Sequence, residues 1–386
     1  MLKVAICQDF REEGWPSMDR VAEALVAELA RTHGSEIEAT LVAPPFCRRA
    51  SRLASGRAAA NFDRGVNRLW DYPRHLRRLA SRYDIFHIID HSYAQLVHAL
   101  PAERTVVTCH DLDTFRSLLD PEGEPRSMAF KAMTRQILNG LRAAACVTCD
   151  TAAIATELSA RGLIERGKII VAPIGVERVF TNHADAESDA EAARLVGAPA
   201  GATEVLHVGS TVARKRIDTL LRVLAAARAV RPDAHLVRAG GPFTREQEQL
   251  ARELGLDAHV SVLPPISDRL LAAVYRRASV LLLPSEREGF GLPVVEAMAC
   301  GTPVIASDIP VLREVGGGAA EYCERRDVAA WTRTLIALID ECQSGRARWD
   351  ERVARGLISA SRYSWDSFAA LSVRAYAHVN QPVCLA

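Results

Sequence analysis

The stretch LPSEREGFGLPVVEAMACGTPVIASD, residues 283–308, places two glutamates, Glu288 and Glu296, on either side of a glycine-rich turn. The apolar run VLLLPS predicts a buried strand before the turn. Pro293 suits the first turn of a helix, and Gly301 predicts the end of that helix. The stretch therefore predicts a strand, a tight turn and a helix, which is the repeating unit of a parallel α/β sheet.

The same alternation runs through the whole chain. Six β-branched runs precede residue 176 and six follow residue 204, with amphipathic helical stretches separating them. This order predicts right-handed βαβ units. We predict an α/β fold of two Rossmann-like, doubly wound parallel-sheet domains, 1–178 and 200–364, that face a central cleft. The polar, alanine-rich segment 176–204 is interpreted as the linker.

Composition narrows the functional class. The 386 residues include 48 Lys and Arg against 47 Asp and Glu, so the chain has no overall basic field for nucleic acid. No apolar run approaches the ~20 residues of a membrane-spanning helix, and the N-terminus begins a strand, not a signal peptide. Nine cysteines, an odd number, favour free thiols in a reducing compartment. We predict a cytoplasmic protein without a nucleic-acid partner.

The turn between the two glutamates predicts a ligand site. A helix N-terminus presents unpaired N–H groups and a partial positive charge, here near Leu292 and Val294. Glycines allow a ligand close to the backbone, and two carboxylates accept hydrogen bonds from hydroxyl groups. Together they describe a nucleotide-sugar, in which a diphosphate joins a ribose to a hexose. The predicted donor-binding residues of the turn are Gly289, Phe290, Gly291 and Leu292.

The motif PSEREGFGLPVVEAMACGTPVIASDIPVLREV resembles the signature of the retaining GT-B glycosyltransferases of family four (glycosyltransferases group 1). Further segments resemble other family motifs: HVGSTVARKRIDTLLRVL the phosphate loop, VAPIGVE the interdomain turn, VTCHDL the histidine loop and EEGWPSMDRVAEAL the first glycine loop. The resemblance covers nearly the whole chain. It implies a donor site in the C-terminal domain and a final segment, 365–386, that packs back on the N-terminal domain.

The resemblance also implies roles in the donor site. Glu296 matches the acid that binds the ribose hydroxyls, and Glu288 matches the acid that faces the transferred sugar. Lys215 matches the lysine on the diphosphate, and Arg214 before it resembles the Arg-Lys pair of some mannosyltransferases. Ser210 departs from the family, because many members have a phosphate-binding arginine there. Arg214 is the candidate replacement, and which cation neutralises the leaving group stays open.

Other implied site residues follow strands. His110 matches the histidine whose ring or backbone contacts the transferred sugar, so the predicted catalytic set is His110, Glu288, Arg214 and Lys215. Further donor contacts are implied at Gly14, Gly209 and Ile266. The predicted acceptor residues are Asp90, His91, Ser92 and Asp111. The Asp-His-Ser order is not interpreted as a hydrolase triad, because adjacent residues at one strand end cannot easily face each other.

The implied activity is transfer of a hexose, with mannose as one candidate, from a nucleotide-diphosphate sugar to a hydroxyl of a glycan or lipid-linked acceptor. The implied setting is bacterial surface polysaccharide or glycolipid synthesis, and no metal or other cofactor is expected. The alternative is a non-catalytic homologue that binds sugar nucleotides or stabilises a partner enzyme. An NAD-dependent enzyme is disfavoured, because no G-x-G-x-x-G follows the first strand.

Residues 48–82 form a segment rich in arginine, which we call the basic segment. It contains ten arginines and two acids, Asp63 and Asp71. Interleaved apolar residues give it the pattern of a basic amphipathic helix on an anionic bilayer: Leu53, Phe62, Leu69, Trp70, Tyr72, Leu76 and Leu79. We predict contact with the inner membrane face, and the alternatives are a solvated helical insertion or a cradle for an anionic soluble acceptor.

Overall fold

The computed structural model describes residues 1–380, apart from the side chains of residues 16 and 346. It contains twelve strands, which coincide with the twelve runs predicted from the sequence: β1 (Leu2–Cys7), β2 (Ile37–Val42), β3 (Ile85–Ile88), β4 (Thr105–Cys109), β5 (Cys146–Cys149), β6 (Ile169–Val171), β7 (Thr203–Val208), β8 (Ala234–Ala239), β9 (Val260–Val262), β10 (Val280–Leu283), β11 (Val304–Ser307) and β12 (Glu321–Cys323).

Helices connect most successive strands, as βαβ units require, and the last three helices follow β12. They are α1 (Pro16–His33), α2 (Arg57–Val66), α3 (Tyr72–Leu79), α4 (Arg116–Leu119), α5 (Met128–Ala143), α6 (Ala152–Ala160), α7 (Ala186–Val196), α8 (Ile217–Arg228), α9 (Arg245–Glu253), α10 (Asp268–Arg277), α11 (Leu292–Ala299), α12 (Pro310–Gly316), α13 (Val328–Ser344), α14 (Arg346–Ala360) and α15 (Trp365–Val379). None of the helices within residues 1–380 is long and apolar enough to cross a membrane.

The chain divides into two compact units. The first comprises Met1–Gly175 and the C-terminal helix from Trp365, and the second is Val176–Ser364. Each contains a six-stranded sheet in which all neighbouring strands are parallel. The prediction of two Rossmann-like parallel-sheet domains is therefore confirmed.

Strand order locates the switch point of each sheet. The first sheet has the order β2-β1-β3-β4-β5-β6, so its direction of winding reverses between β1 and β3. The second has the order β12-β11-β10-β7-β8-β9 and reverses between β7 and β10. In doubly wound sheets, ligands bind beyond the carboxyl ends of the strands at such a point. The loops after β1, β3, β7 and β10 are thus where a site is expected.

Residues 176–204, interpreted as a linker, belong to the second unit and contain α7. This helix packs against α10. Arg276 of α10 donates to Asp189 of α7 at 2.6 and 3.0 Å, and Arg269 donates to Asp185 at 2.6 and 2.9 Å. The alanine-rich composition concealed an amphipathic helix, because its buried face uses small residues such as Ala192.

The last helix, α15, packs within the first unit. It contacts α1 and strands β4, β5 and β6. The hydroxyl of Tyr376 lies 2.8 Å from His87 Nδ1 of β3, and Trp365 is buried against Phe368. The segment 365–380 therefore packs against the N-terminal sheet. Residues 381–386 of the predicted segment lie outside the described residues.

Candidate functional site

The carboxyl ends of β7 and β10 carry the two loops that hold most of the predicted donor residues. β7 pairs with β10 through Val205 with Val280 and Leu206 with Leu281. The loops are joined beyond the strands, since the Glu286 N–H donates to the Arg214 carbonyl at 2.7 Å. The switch point thus brings together residues that are more than 70 positions apart in the sequence.

Three of the predicted side chains meet at this point. Lys215 Nζ donates to Glu288 Oε1 at 2.6 Å, and Arg214 Nη1 donates to Glu288 Oε2 at 3.3 Å. Arg214 Nη1 also donates to the Arg287 carbonyl at 2.9 Å. The side chains of Glu288 and Lys215 are 6% and 10% exposed, and that of Arg214 is 28% exposed. One buried carboxylate is therefore held by two cations, of which one reaches solvent.

Charge pairing controls the ionisation of Glu288. Burial opposes the charged form, but Lys215 and Arg214 outweigh that effect and hold the pKa of Glu288 below its ordinary value. The carboxylate is thus ionised at neutral pH. An anionic ligand at this point would compete with Glu288 for the same two cations.

Glu296 lies in α11 and is buried, at 5% exposure. Its Oε2 accepts a hydrogen bond of 2.8 Å from the hydroxyl of Tyr275 in α10. The ring of Tyr275 packs edge-on against that of Phe180, with ring centroids 5.8 Å apart. An isolated helix glutamate is usually solvated, so this buried and oriented carboxylate is a feature that only the fold shows.

The turn before α11 has the predicted form, but two of its groups differ from the predicted ligand site. Gly291 caps the helix at φ 94°, where an added Cβ would lie 2.6 Å from Leu312. Phe290 is buried against Tyr363, with ring centroids 5.3 Å apart, so its side chain belongs to the core. The Val294 N–H donates to the Gly291 carbonyl at 2.9 Å. That amide is used inside the turn and is not open to an anion.

Apart from Gly14, the remaining donor predictions fall on loops of the second unit. Gly209 and Ser210 follow β7, and Ser210 is exposed. Ile266 is half-buried between β9 and α10. Arg216, directly after Lys215, has φ 49° and is the one non-glycine residue with positive φ within residues 1–380. Its guanidinium is held by Asp218 at 2.7 and 2.9 Å. Such strain is often found at functional loops.

His110 lies in the first unit, beyond the end of β4. Its Nδ1 is 2.7 Å from Asp150 Oδ2 and its Nε2 is 2.8 Å from the Ile89 carbonyl. Burial disfavours the charged ring, but Asp150 outweighs it and raises the pKa of His110 to about 9. Both ring nitrogens then donate, so the imidazolium ties together three strand ends. Unless one of these two hydrogen bonds breaks, only the backbone of His110 is available to contact a substrate.

The predicted acceptor residues are close together but differ in role. Asp90 accepts from the Ser92 N–H at 2.8 Å and the Ser92 hydroxyl at 2.7 Å, which caps a short 3-10 helix. His91 is buried, with Nδ1 3.3 Å from Asp90 and Nε2 3.5 Å from Asp111. Burial and the adjacent Asp90 raise the pKa of Asp9 well above its ordinary value. A buried acidic group therefore marks the switch point of the first sheet.

Gly14 also lies in this unit, after β1. Its φ is 76°, and an added Cβ would meet nothing within 4 Å. The position therefore requires glycine for its backbone conformation and not for lack of space.

Sequence reasoning missed Asp150 and Tyr275. Asp150 ends the run ACVTCD and follows its strand as His110 follows the neighbouring one, which was a usable signal. Tyr275 gave no signal, because it lies in an ordinary amphipathic helix. Within residues 1–380 no group of three or more His, Cys, Asp or Glu side chains is arranged as metal ligands.

Two family models match the chain. Glycosyl transferases group 1 matches residues 190–355, and Glycosyltransferase Family 4 matches residues 18–180. Proteins named D-inositol 3-phosphate glycosyltransferase are similar in sequence. The Arthrobacter sp. protein is 30% identical over 314 residues, 78% of this chain and 72% of that protein. The Corynebacterium kroppenstedtii protein is 36% identical over 190 residues, 46% and 40% of the two chains.

The fold is likewise shared with solved structures. Sucrose-phosphate synthase from Thermosynechococcus elongatus has a TM-score of 0.75 at 20% identity, covering 98% of this chain and 99% of that one. Anabaena HepE in complex with UDP and glucose has a TM-score of 0.73 at 16% identity, covering 98% and 100%. The chain belongs to the family of group 1 glycosyltransferases and has their GT-B fold. It spans 40 to 52% of the length of three of the curated relatives.

Proposed function

We propose that the chain is a retaining glycosyltransferase that moves a hexose from a nucleoside diphosphate sugar to an acceptor hydroxyl. The observation that carries this proposal is the buried Glu288 carboxylate held by Lys215 and Arg214 at the switch point of the second sheet. Two cations against one carboxylate leave an excess of positive charge for a diphosphate. Glu288, once displaced from its cations, and Glu296 supply acceptors for hydroxyl groups of the hexose and the ribose.

The reaction needs charge stabilisation more than proton chemistry. The bond from the anomeric carbon to the phosphate oxygen breaks, and a bond to the acceptor oxygen forms on the same face. The acceptor proton passes to the departing phosphate oxygen. Lys215 and Arg214 stabilise the charge that develops on the leaving diphosphate. Because side chains supply this charge, we expect turnover without a metal ion, and loss of activity in EDTA that magnesium restores would contradict that expectation.

Ligand binding tests the donor site directly. UDP-, GDP- and dTDP-sugars, with GDP-mannose included because of the Arg-Lys pair, are screened by thermal unfolding and by donor hydrolysis. A ligand at 100 times its Kd should add about 2.7 kcal/mol to the unfolding free energy. The anomeric configuration of the product, read by NMR, tests retention. If no nucleotide raises the unfolding temperature, the proposed donor site is refuted. Binding without turnover on any acceptor would favour the non-catalytic alternative.

The acceptor class is proposed from the basic segment of the first unit. Its apolar residues Phe62 and Trp70 are 57% and 60% exposed, and Phe130 of α5 is 39% exposed. A cavity of about 380 Å³ lies among Leu69, Phe130 and other side chains of α2 and α5. An open groove of about 580 Å³ lined by Phe62 and Trp70 shares Leu69 with it. Exposed apolar surface of this kind marks an interaction site.

The structure also corrects the sequence interpretation of this segment. Tyr72 and Leu76 are buried in the core, so they cannot face a bilayer. Asp63 is buried and accepts from the Ala50 and Ser51 N–H groups at 2.8 and 3.0 Å, which fixes the preceding turn. Nine of the ten arginines remain exposed: Arg48, Arg49, Arg52, Arg57, Arg64, Arg74, Arg77, Arg78 and Arg82.

We therefore propose that the basic segment contacts an anionic membrane on which a lipid-linked acceptor resides. The test is flotation with phosphatidylglycerol vesicles against phosphatidylcholine vesicles at low and high salt. We expect binding to anionic vesicles that weakens with salt and that Trp70→Ser reduces. Absence of binding at low salt would refute the membrane proposal and would leave the donor site untouched. Activity on inositol phosphate in free solution would favour a soluble acceptor instead.

A further inference from the structure

An arginine lies in the middle of a buried strand of the second unit. Arg238 of β8 is completely buried, in a strand whose other residues are buried too. Its Nη2 donates to the Gly209 carbonyl at 2.9 Å, and its Nη1 donates to the Gly241 carbonyl. The guanidinium carbon lies 5.2 Å from the ring centroid of Phe243. One side chain thus joins the loops that follow β7 and β8.

This buried cation has no carboxylate partner within residues 1–380. Its Nε has no hydrogen-bond partner there either. Burial lowers the pKa of Arg238 to about 10, so the group stays charged at neutral pH. The neighbouring groups do not neutralise the charge of Arg238. Lys215 is a second cation, and His207 is uncharged at neutral pH, because burial, followed by the charges of Arg238 and Lys215, lowers its pKa to about 3. A buried charge without a counter-ion is costly, and a bound anion would offset that cost.

The two bonded carbonyls belong to tightly packed glycine loops. Gly209 has φ 153° and Gly241 has φ 99°. At Gly240 an added Cβ would lie 2.2 Å from the Gly209 oxygen, so these loops touch. A Cβ at Gly209 would also lie 3.6 Å from the side chain of Lys215. Arg238 therefore lies behind the same loop that leads to the proposed diphosphate cation.

Peptide geometry gives this contact a consequence for Ser210. In a planar trans peptide the carbonyl and the following N–H point in opposite directions, and the described residues contain no cis bond. Because the Gly209 oxygen is held by the interior guanidinium, the Ser210 N–H points away from the interior. No hydrogen bond from this N–H forms within residues 1–380. An outward amide at a strand end, backed by a buried cation, suits an anion.

We propose that Arg238 is a positioning residue for the donor diphosphate, which orients the Ser210 N–H toward a phosphate oxygen and adds a buried positive charge behind that peptide. The inference rests on the proposed function. It explains how a chain with serine at position 210 holds the leaving group, since the amide and Arg238 together replace a side chain on the loop.

The test measures how much the diphosphate group contributes to binding, separately from the nucleoside. Arg238→Met, Arg238→Gln and Arg238→Lys are compared with the wild type by calorimetry, using the nucleoside diphosphate that the wild type binds and the matching nucleoside. We expect the two neutral variants to bind the diphosphate at least tenfold more weakly, a loss of about 1.4 kcal/mol, and the nucleoside within about twofold. Arg238→Lys should recover part of the loss. The kcat/KM for the donor sugar should fall in parallel.

The control is Arg228→Met, since Arg228 donates to the Ala234 carbonyl at the opposite end of β8. It should change stability but not the preference for diphosphate over nucleoside. Equal weakening of both ligands in the Arg238 variants would assign Arg238 a purely structural role, and undiminished diphosphate binding would refute the inference. If Arg238→Met does not fold, the binding measured for Arg238→Gln and Arg238→Lys still tests the role of Arg238. A wild type that binds no nucleoside diphosphate refutes the proposed function instead.

Discussion

Lys215→Met is expected to destabilise the second unit, because it removes the closer of two cations from a buried carboxylate. At an effective dielectric constant of about 20, a charge pair at the 2.6 Å of Lys215 and Glu288 attracts by ~6 kcal/mol, and one at the 3.3 Å of Arg214 by ~5 kcal/mol. Breaking a buried pair typically costs about 3–5 kcal/mol. Since Arg214 remains, we expect a loss of about 2–3 kcal/mol, or roughly 5–10 °C in Tm for a unit of this size.

The pH dependence has a defined sign. The pKa of Glu288 is held below its ordinary value of 4.5, so its pairing stabilises the fold above that pH and the contribution is lost as the pH falls through the folded-state pKa. The difference between wild type and Lys215→Met should therefore be full at neutral pH and shrink on acidification. Denaturant unfolding across this range measures it.

A double-mutant cycle with Glu288→Gln supplies the control. Removing both charges leaves no unpaired buried carboxylate, so the double variant should be more stable than the sum of the single changes implies, by at least about 1 kcal/mol. It should lack turnover, because the proposed diphosphate cation Lys215 is absent. Strict additivity, or a Lys215→Met variant that unfolds within about 1 °C of the wild type at neutral pH, would show that the pair does not carry the stability assigned to it.

Three further changes test other contacts. Tyr275→Phe removes the 2.8 Å hydrogen bond to Glu296 and should cost about 1–3 kcal/mol in denaturant unfolding; an unchanged unfolding curve would contradict the contact. His110→Gln should remove a contribution of about 3 kcal/mol to the unfolding free energy. The contribution is fully present below pH 6.5 and is lost as the pH rises through about 9. The difference in unfolding free energy between wild type and variant should therefore vanish at alkaline pH. Gly240→Ala should destabilise the second unit and weaken nucleotide binding, since its Cβ would lie 2.2 Å from the Gly209 carbonyl oxygen and its φ is 121°; a variant with normal stability and affinity would show that the loops can separate.

The periodic parts of the fold were readable from the sequence, and the polar contacts were not. β-branched runs and amphipathic stretches report burial directly, so all twelve strands were found. The helix α7 was not, because alanine and serine on its buried face leave no apolar stripe. Its position depends on Arg269 and Arg276 of a helix about 80 residues away.

The same division applies to the candidate site. The spacing of Glu288 and Glu296 around a glycine turn, and the Arg-Lys pair before α8, pointed from local sequence to the loops proposed to bind the donor. That Glu288 binds both cations, and that Glu296 is buried under Tyr275, depends on which strands are neighbours. Strand order is set by long-range packing and leaves no local mark on either segment.

By itself, then, the sequence determined two parallel α/β units, the family and the loop on which the proposed chemistry depends. Local pattern suffices for these, because periodicity and turn residues act over a few positions. Only the tertiary structure decided the ionisation of Glu288 and His110, the outward direction of the Ser210 amide and the buried charge of Arg238. Electrostatic effects depend on distance and burial in space, and the residues that set them are separated along the chain by up to about 70 positions.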